Sequence, residues 1–224
     1  MSGLPERALH SLVRWLPAQR WFGGSSADGL RIVSDRPLAE SLRRTVLEVG
    51  DANYQLLVGA DNDPPEYLRA AVFAEVDGVR YYDATQDPDL SGLLLGVAVE
   101  PEPGVELDTA LRARVLAAEQ SNSSLVFGQD YILKLFRKVH RGSNRDVELH
   151  RALAGVGCAH IAAPLGVSAA EGMVFGFLQQ FLPDAADGWV MSTASVRDLM
   201  VEADLHADEV GGDFAGEAAR LGQA

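Results

Sequence analysis

Cysteine is all but missing from this chain. Cys158 is the single thiol in 224 residues, so no disulfide can close within it, and a reducing setting, the cytoplasm, is expected. Long apolar runs are missing too. The longest, Leu93–Val99, has a glycine inside and falls far short of the ~20 residues that cross a bilayer. Glu6 and Arg7 sit where a secretion signal needs an apolar core. Positive charge is scarce: 19 Lys and Arg stand against 32 Asp and Glu, a net charge of −13. That excludes a general nucleic-acid or anionic-membrane binder, because phosphate backbones want a basic surface. It leaves room for a nucleotide, which one or two local cations can hold. His10, His140, His150, His160 and His206 are scattered, with no His-x-x-x-His pair and no cysteine set for zinc. Cys158 has no activating neighbours of its own. There is no Walker loop, no Gly-x-Ser-x-Gly elbow and no internal repeat.

What is present is ordinary globular material, 47% hydrophobic and 23% charged, enough for one or two domains. Leu9, Leu12, Val13 and Leu16 recur at helical spacing, which predicts an amphipathic helix over Leu4–Trp15 that Pro17 ends. Arg20-Trp21-Phe22-Gly23-Gly24 reads as two aromatic plugs and a turn rather than a ligand site. Leu30–Ser34, Thr45–Gly50, Tyr54–Ala60, Ala70–Val76 and Arg80–Asp83 read as strands, with Asp77-Gly78 as a hairpin turn. Asp87-Pro88 opens a short helix to about Val97. Glu100-Pro101-Glu102-Pro103-Gly104 is the clearest linker. Beyond it come a strand at Ala113–Ala118, a helix over Asn144–Val156 with Leu149, Leu153 and Val156 on one face, and strands at Ile161–Val167 and Met173–Leu178. Pro164 places the first of that pair at a sheet edge or limits its length. Asp184–Trp189 is expected to be a loop. Ser192 or Thr193 would cap a helix over Ala194–Leu205, and Asp213 a last one.

The chemistry concentrates between Gln120 and Glu148. Gly128-Gln129-Asp130 is turn chemistry between two apolar runs, so Ser124–Phe127 and Tyr131–Arg137 should form a hairpin. Alternation along the second strand puts Ile132, Lys134 and Phe136 on one face. A lysine between two large apolar side chains loses hydration and wants an anion. Two partners are in view. One is Glu148, in the first turns of a helix that Asn144 would cap. The other is a phosphate under the small polar loop Ser121-Asn122-Ser123-Ser124. A loop over phosphates, a strand lysine and a helix glutamate make the nucleotide-gripping half of a protein-kinase-like fold. Each feature also has a plain reading: a strand lysine ordinarily lies solvated along apolar surface, and a Ser/Asn loop is ordinarily a turn.

The run Glu119-Gln120-Ser121-Asn122-Ser123-Ser124-Leu125-Val126-Phe127-Gly128, with Tyr131-Ile132-Leu133-Lys134-Leu135-Phe136-Arg137 after it, resembles the bacterial maltokinases. So does Gln19-Arg20-Trp21-Phe22-Gly23-Gly24. The chain departs from them at Ser25-Ser26-Ala27-Asp28, where the family continues with a basic residue, and at Arg145, where it tends to have proline. The resemblance implies an α+β chain in three parts. Residues 1–103 would be an N-terminal cap of antiparallel sheet and helices. Residues 104–183 would be a kinase-like small lobe, five antiparallel strands and one helix. Residues 184–224 would begin a truncated helical lobe. It implies ATP-dependent phosphorylation of a sugar, maltose to maltose 1-phosphate first. Ser121, Asn122, Ser123 and Ser124 would cover the phosphates, Lys134 would pair them, and Glu148 would orient Lys134. The backbone of Gln180, Phe181 and Leu182 would meet adenine. It also implies an association with a trehalose- or maltose-converting enzyme.

In that fold the acceptor-activating aspartate and the Mg2+ ligands come from the large lobe. His206-Ala207-Asp208, with Asp213 five residues on, imitates the motif that carries them. It reads as a decoy, because an asparagine belongs at the fifth position and few residues follow. No catalytic residue is therefore expected in these 224 residues, and the chain by itself is expected to transfer no phosphate. Two other readings stay open: a kinase of an amino sugar or aminoglycoside, and a non-catalytic cap that docks on a partner.

Overall fold

The computed structural model describes residues 3–116, 122–185, 187–201 and 215–223. They form two compact units, one up to Phe181 and a second from Leu182.

The first unit opens with α1 (Glu6–Trp15), continued by a tight turn over Leu16–Ala18 that contains Pro17. Ala8 and Leu12, four apart, are buried against the first sheet. That sheet comprises β1 (Arg31–Ala39), β2 (Leu42–Val49), β3 (Ala52–Asp61), β4 (Val72–Val76) and β5 (Val79–Asp83), ordered β1-β2-β3-β5-β4. The hairpin at Asp77-Gly78 forms as expected, both residues at positive φ, 52° and 80°. Ala70 and Ala71 lie outside β4, in a 3-10 turn over Glu66–Ala71. The expected helix after Asp87 is broken into α2 (Pro88–Gly92) and α3 (Leu94–Val97). Asp87 caps α2 by accepting from the backbone N–H of Asp89 and Leu90.

The expected linker is part of the second sheet. β6 (Glu100–Pro101) pairs with Gly166 and Val167, and Glu102 N–H donates to the Leu165 carbonyl at 2.9 Å. Two prolines and extended backbone read as a spacer, but the same conformation fits a sheet edge. A glycine is needed opposite: a Cβ on Gly166 would lie 2.8 Å from the Glu100 carbonyl oxygen. The sheet continues with β7 (Ala113–Leu116), β8 (Asn122–Phe127), β9 (Tyr131–Phe136), β11 (Pro164–Ala170) and β12 (Met173–Gln180), in order β6-β11-β12-β9-β8-β7. All pairings are antiparallel. It thus has five main strands and a two-residue edge. The Glu171-Gly172 turn joining β11 to β12 holds both residues at positive φ.

The two sheets are wired together. β10 (Lys138–Val139), next after β9, pairs with Asn53 and Tyr54 of the first sheet. Gln55, fully buried, donates from Nε2 to the carbonyls of Phe136 and Phe175 at 3.0 and 2.8 Å. Leu42 and Leu57 share one core with Leu125, Phe127, Leu133, Leu135 and Leu178. The helix after β10 is α4 (Arg145–Gly155), capped by Asn144, whose side-chain oxygen accepts from Asp146 and Val147 N–H.

On α4 the face shared by Leu149, Leu153 and Val156 is the exposed one. Leu149 and Val156 are 61% and 80% exposed, and Val147 is the buried contact. The cap residue fixes the helix's rotation, and Val147 then meets Phe136, Phe175 and Phe177.

In the second unit α5 (Gly188–Val201) begins six residues before the expected start at Ala194. Asp187 accepts from Val190 N–H, while the Ser192 and Thr193 hydroxyls bond back to carbonyls four residues earlier. The last helix, α6, spans Ala215–Gln223. Its expected cap, Asp213, and the decoy His206-Ala207-Asp208 lie outside the described residues. Among the described residues no helix is long and apolar enough to cross a membrane.

Candidate functional site

Lys134 stands in mid-β9 with Ser124 of β8 on one side and Phe177 of β12 on the other. Its Nζ donates to Asp146 Oδ2 at 2.7 Å, and the two side chains are 32% and 29% exposed. The lysine therefore has its carboxylate, but the acid is Asp146 and not Glu148. The reason is helical geometry. Asn144 caps α4, so Asp146 sits in the first turn facing the sheet, while two further residues carry Glu148 about 200° around the axis. Glu148 is exposed at the rim. Lys134, Asn122, His140, Arg145, Asp146 and Glu148 line one pocket of about 490 Å3.

His150, one turn on from Asp146, completes the cluster. Its Nδ1 lies 2.8 Å from the Asp146 carbonyl and 3.3 Å from Oδ1. Its ring meets Phe177 edge-on, with centroids 5.2 Å apart. The Asp-x-x-x-His spacing on one helix face was the available signal for this pair.

The phosphate-covering loop is corrected in part. Asn122, Ser123 and Ser124 are strand, not loop, and Ser121 lies outside the described residues. Asn122 is half-buried and borders the Lys134 pocket. Ser123 points the other way, and its Oγ accepts from Arg137 Nε at 2.8 Å. Ser124 is buried, its hydroxyl without a protein partner. These two serines are therefore sealed in the ladder and cannot close over a ligand. At the end of β12, Gln180 N–H donates to the Ala163 carbonyl and Phe181 N–H to that of Asp130, at 2.9 and 2.8 Å. Those two amides are used by the sheet, so they are not the donors expected for adenine. The Leu182 carbonyl accepts from Ala185 N–H.

Arg137, one residue past β9, falls on the face opposite Lys134, a consequence that sequence reading missed. Arg137 is 1% exposed. Its Nη2 donates to Asp83 Oδ2 at 2.6 Å and Thr85 Oγ1 at 2.8 Å. The guanidinium lies 4.6 Å from the centre of the Trp21 ring. Trp21 in turn is one of several rings, with Trp15, Phe22, Tyr54 and Phe73, that plug the first sheet's core.

Residues 15–87 match the family model of the maltokinase N-terminal cap domain. The chain carries a maltokinase-type cap. The match runs from Trp15 to Asp87, across β1 to β5 and up to the cap of α2, and so includes Trp21 and Asp83. Solved structures extend the comparison over both sheets. A glucosamine kinase in complex with glucosamine, ADP and inorganic phosphate matches with a TM-score of 0.51 at 17% identity, covering 93% of this chain and 48% of that one. A second crystal form of a glucosamine kinase matches at 0.52 and 19%, covering 92% and 47%. At that identity the likeness establishes the fold alone: a cap followed by a kinase-like small lobe. The chain spans about half the length of these structures.

Proposed function

We propose that this chain is the nucleotide-gripping portion of an ATP-dependent sugar kinase. The pairing of Lys134 with Asp146 at the mouth of the 490 Å3 pocket carries this reading. A one-third-exposed ion pair adds little to stability, so its position on the pocket wall points to use. Lys134 and Arg145 supply two cations and Asn122 an amide around that space, which fits a triphosphate. Asp146 holds Lys134 in place, with His150 behind it. The neighbour solved with glucosamine and ADP supports a sugar acceptor and this nucleotide, and the cap supports maltose as the first acceptor to try, with maltose 1-phosphate as product. Mg2+ would screen the phosphates. On this reading its ligands and the acceptor-activating aspartate belong to a helical lobe. On this reading residues 1–103 are the cap, 104–183 the small lobe and 184–224 the approach to that helical lobe. A reduced cytoplasmic setting and a trehalose- or maltose-converting partner belong to the same reading.

Calorimetric titration with ATP tests it. The wild-type chain should bind, Lys134→Ala and Asp146→Asn should bind about tenfold more weakly, and Glu148→Gln should change little; tenfold is 1.4 kcal/mol. Full ATP affinity in Lys134→Ala would overturn the proposal, and no affinity in the wild type would favour a non-catalytic docking module.

A further inference from the structure

A second cavity, of about 270 Å3, lies on the other side of β8, between the cap and the second sheet. Its wall is aromatic, from Trp15, Trp21 and Tyr67, and carries the carboxamides of Gln19, Gln86 and Asn122. Arg137 and Asp83 meet at its base. This base is costly to build. A buried ion pair rarely regains its desolvation, and here Arg137 Nη1 is also left without a protein partner. That nitrogen is closed to solvent, so the base gives the cavity its floor and the contacts for a ligand come from the wall. Asp83 cancels the Arg137 charge, and Arg20 is the one further charged residue among the described residues of the lining, so most of the wall is aromatic, aliphatic or carboxamide.

We infer that this cavity is a second small-molecule site, separate from the Lys134 pocket, for a neutral saccharide of one or two rings. Indole and phenol faces suit the C–H faces of a pyranose, and carboxamides can both donate to and accept from its hydroxyls. At about 270 Å3 the cavity lies just below the roughly 300 Å3 lower end of small-ligand sites. Asn122 borders both this cavity and the Lys134 pocket, so a saccharide held here touches the strand that leads past the nucleotide. That gives it a path to modulate phosphate grip without joining the reaction.

Two of the three tryptophans line the cavity, which supplies the readout. The 224-residue chain carrying Trp189→Phe is titrated with glucose, with maltose and with inorganic phosphate, following tryptophan emission. A saturable change with glucose or maltose is expected below about 100 mM, the weak end of specific binding. Tyr67→Ala and Gln86→Leu, both at exposed positions, should each weaken it about tenfold with the circular dichroism spectrum unchanged. Lys134→Ala should leave it intact, which separates this site from the nucleotide proposal. Saturation by phosphate alone, no saturable change with either sugar, or a response untouched by both cavity variants would overturn the inference.

Discussion

A buried guanidinium decides more about this molecule than any surface charge. Arg137 is held by Asp83, Thr85, Ser123 and the Trp21 ring at once. It therefore ties β9 to the end of β5 and to the segment after α1. Removing one partner of such a pair strands the other charge away from water. Asp83→Ala should destabilise the chain by about 3–5 kcal/mol, measured by urea unfolding. A loss below about 1 kcal/mol, the range of exposed pairs, would show that Arg137 had found water. Lys134, three residues earlier and on the opposite face, is the contrast. It is one-third exposed, and its bond to Asp146 contributes little to folding.

Among the elements, the edge of the first sheet is fastened by one carboxylate. Asp35 of β1 accepts from Leu4 N–H, Arg43 Nε and Thr45 Oγ1 at 3.0, 2.9 and 3.0 Å. Burial pushes its carboxyl up, but the bonds from Arg43, Leu4 and Thr45 outweigh it and hold the group below its ordinary value. The sign follows. A carboxyl with a depressed folded-state pKa adds stability above its unfolded value, near 3.9, and loses it as pH falls through the folded value. Wild type should thus exceed Asp35→Asn in thermal stability at neutral pH, and the gap should narrow below about pH 4. A gap that widens on acidification would show the carboxyl to be protonated in the fold. The α4 stripe teaches the opposite lesson about patterns. Leu149, Leu153 and Val156 share a face, yet periodicity reports only that a face exists, and the Asn144 cap and the Val147 contact choose which face is buried.

At the scale of the whole molecule, the first sheet has a core of its own against α1 and shares two more with the second sheet. Val46 packs with Phe136 and Phe175, and Leu57 with Leu125 and Leu133. Residues up to Phe181 should therefore unfold in one calorimetric transition, with van't Hoff and calorimetric enthalpies equal. Gln55→Leu should lower the stability of that unit by about 1–3 kcal/mol, since it removes a buried donor that two carbonyls share. A resolved second transition within this unit would mean that cap and small lobe are independent domains.

The sequence by itself determined the local elements and the two ladders around the site. Alternation set Lys134 apart from its neighbours on β9, Asp77-Gly78 made its turn, Asn144 capped its helix, and the Trp21 and Lys134 runs carried the likeness to maltokinases. These follow from side-chain period and backbone preference, which act over a few residues. Only the tertiary structure decided which acid Lys134 meets, that Ser123 and Ser124 are sealed in a strand, that Glu100-Pro101 joins a sheet, and that Arg137 reaches Asp83. Each depends on segments far apart in the chain arriving at one place, and no local spacing encodes the rotation of a helix or the depth of a strand.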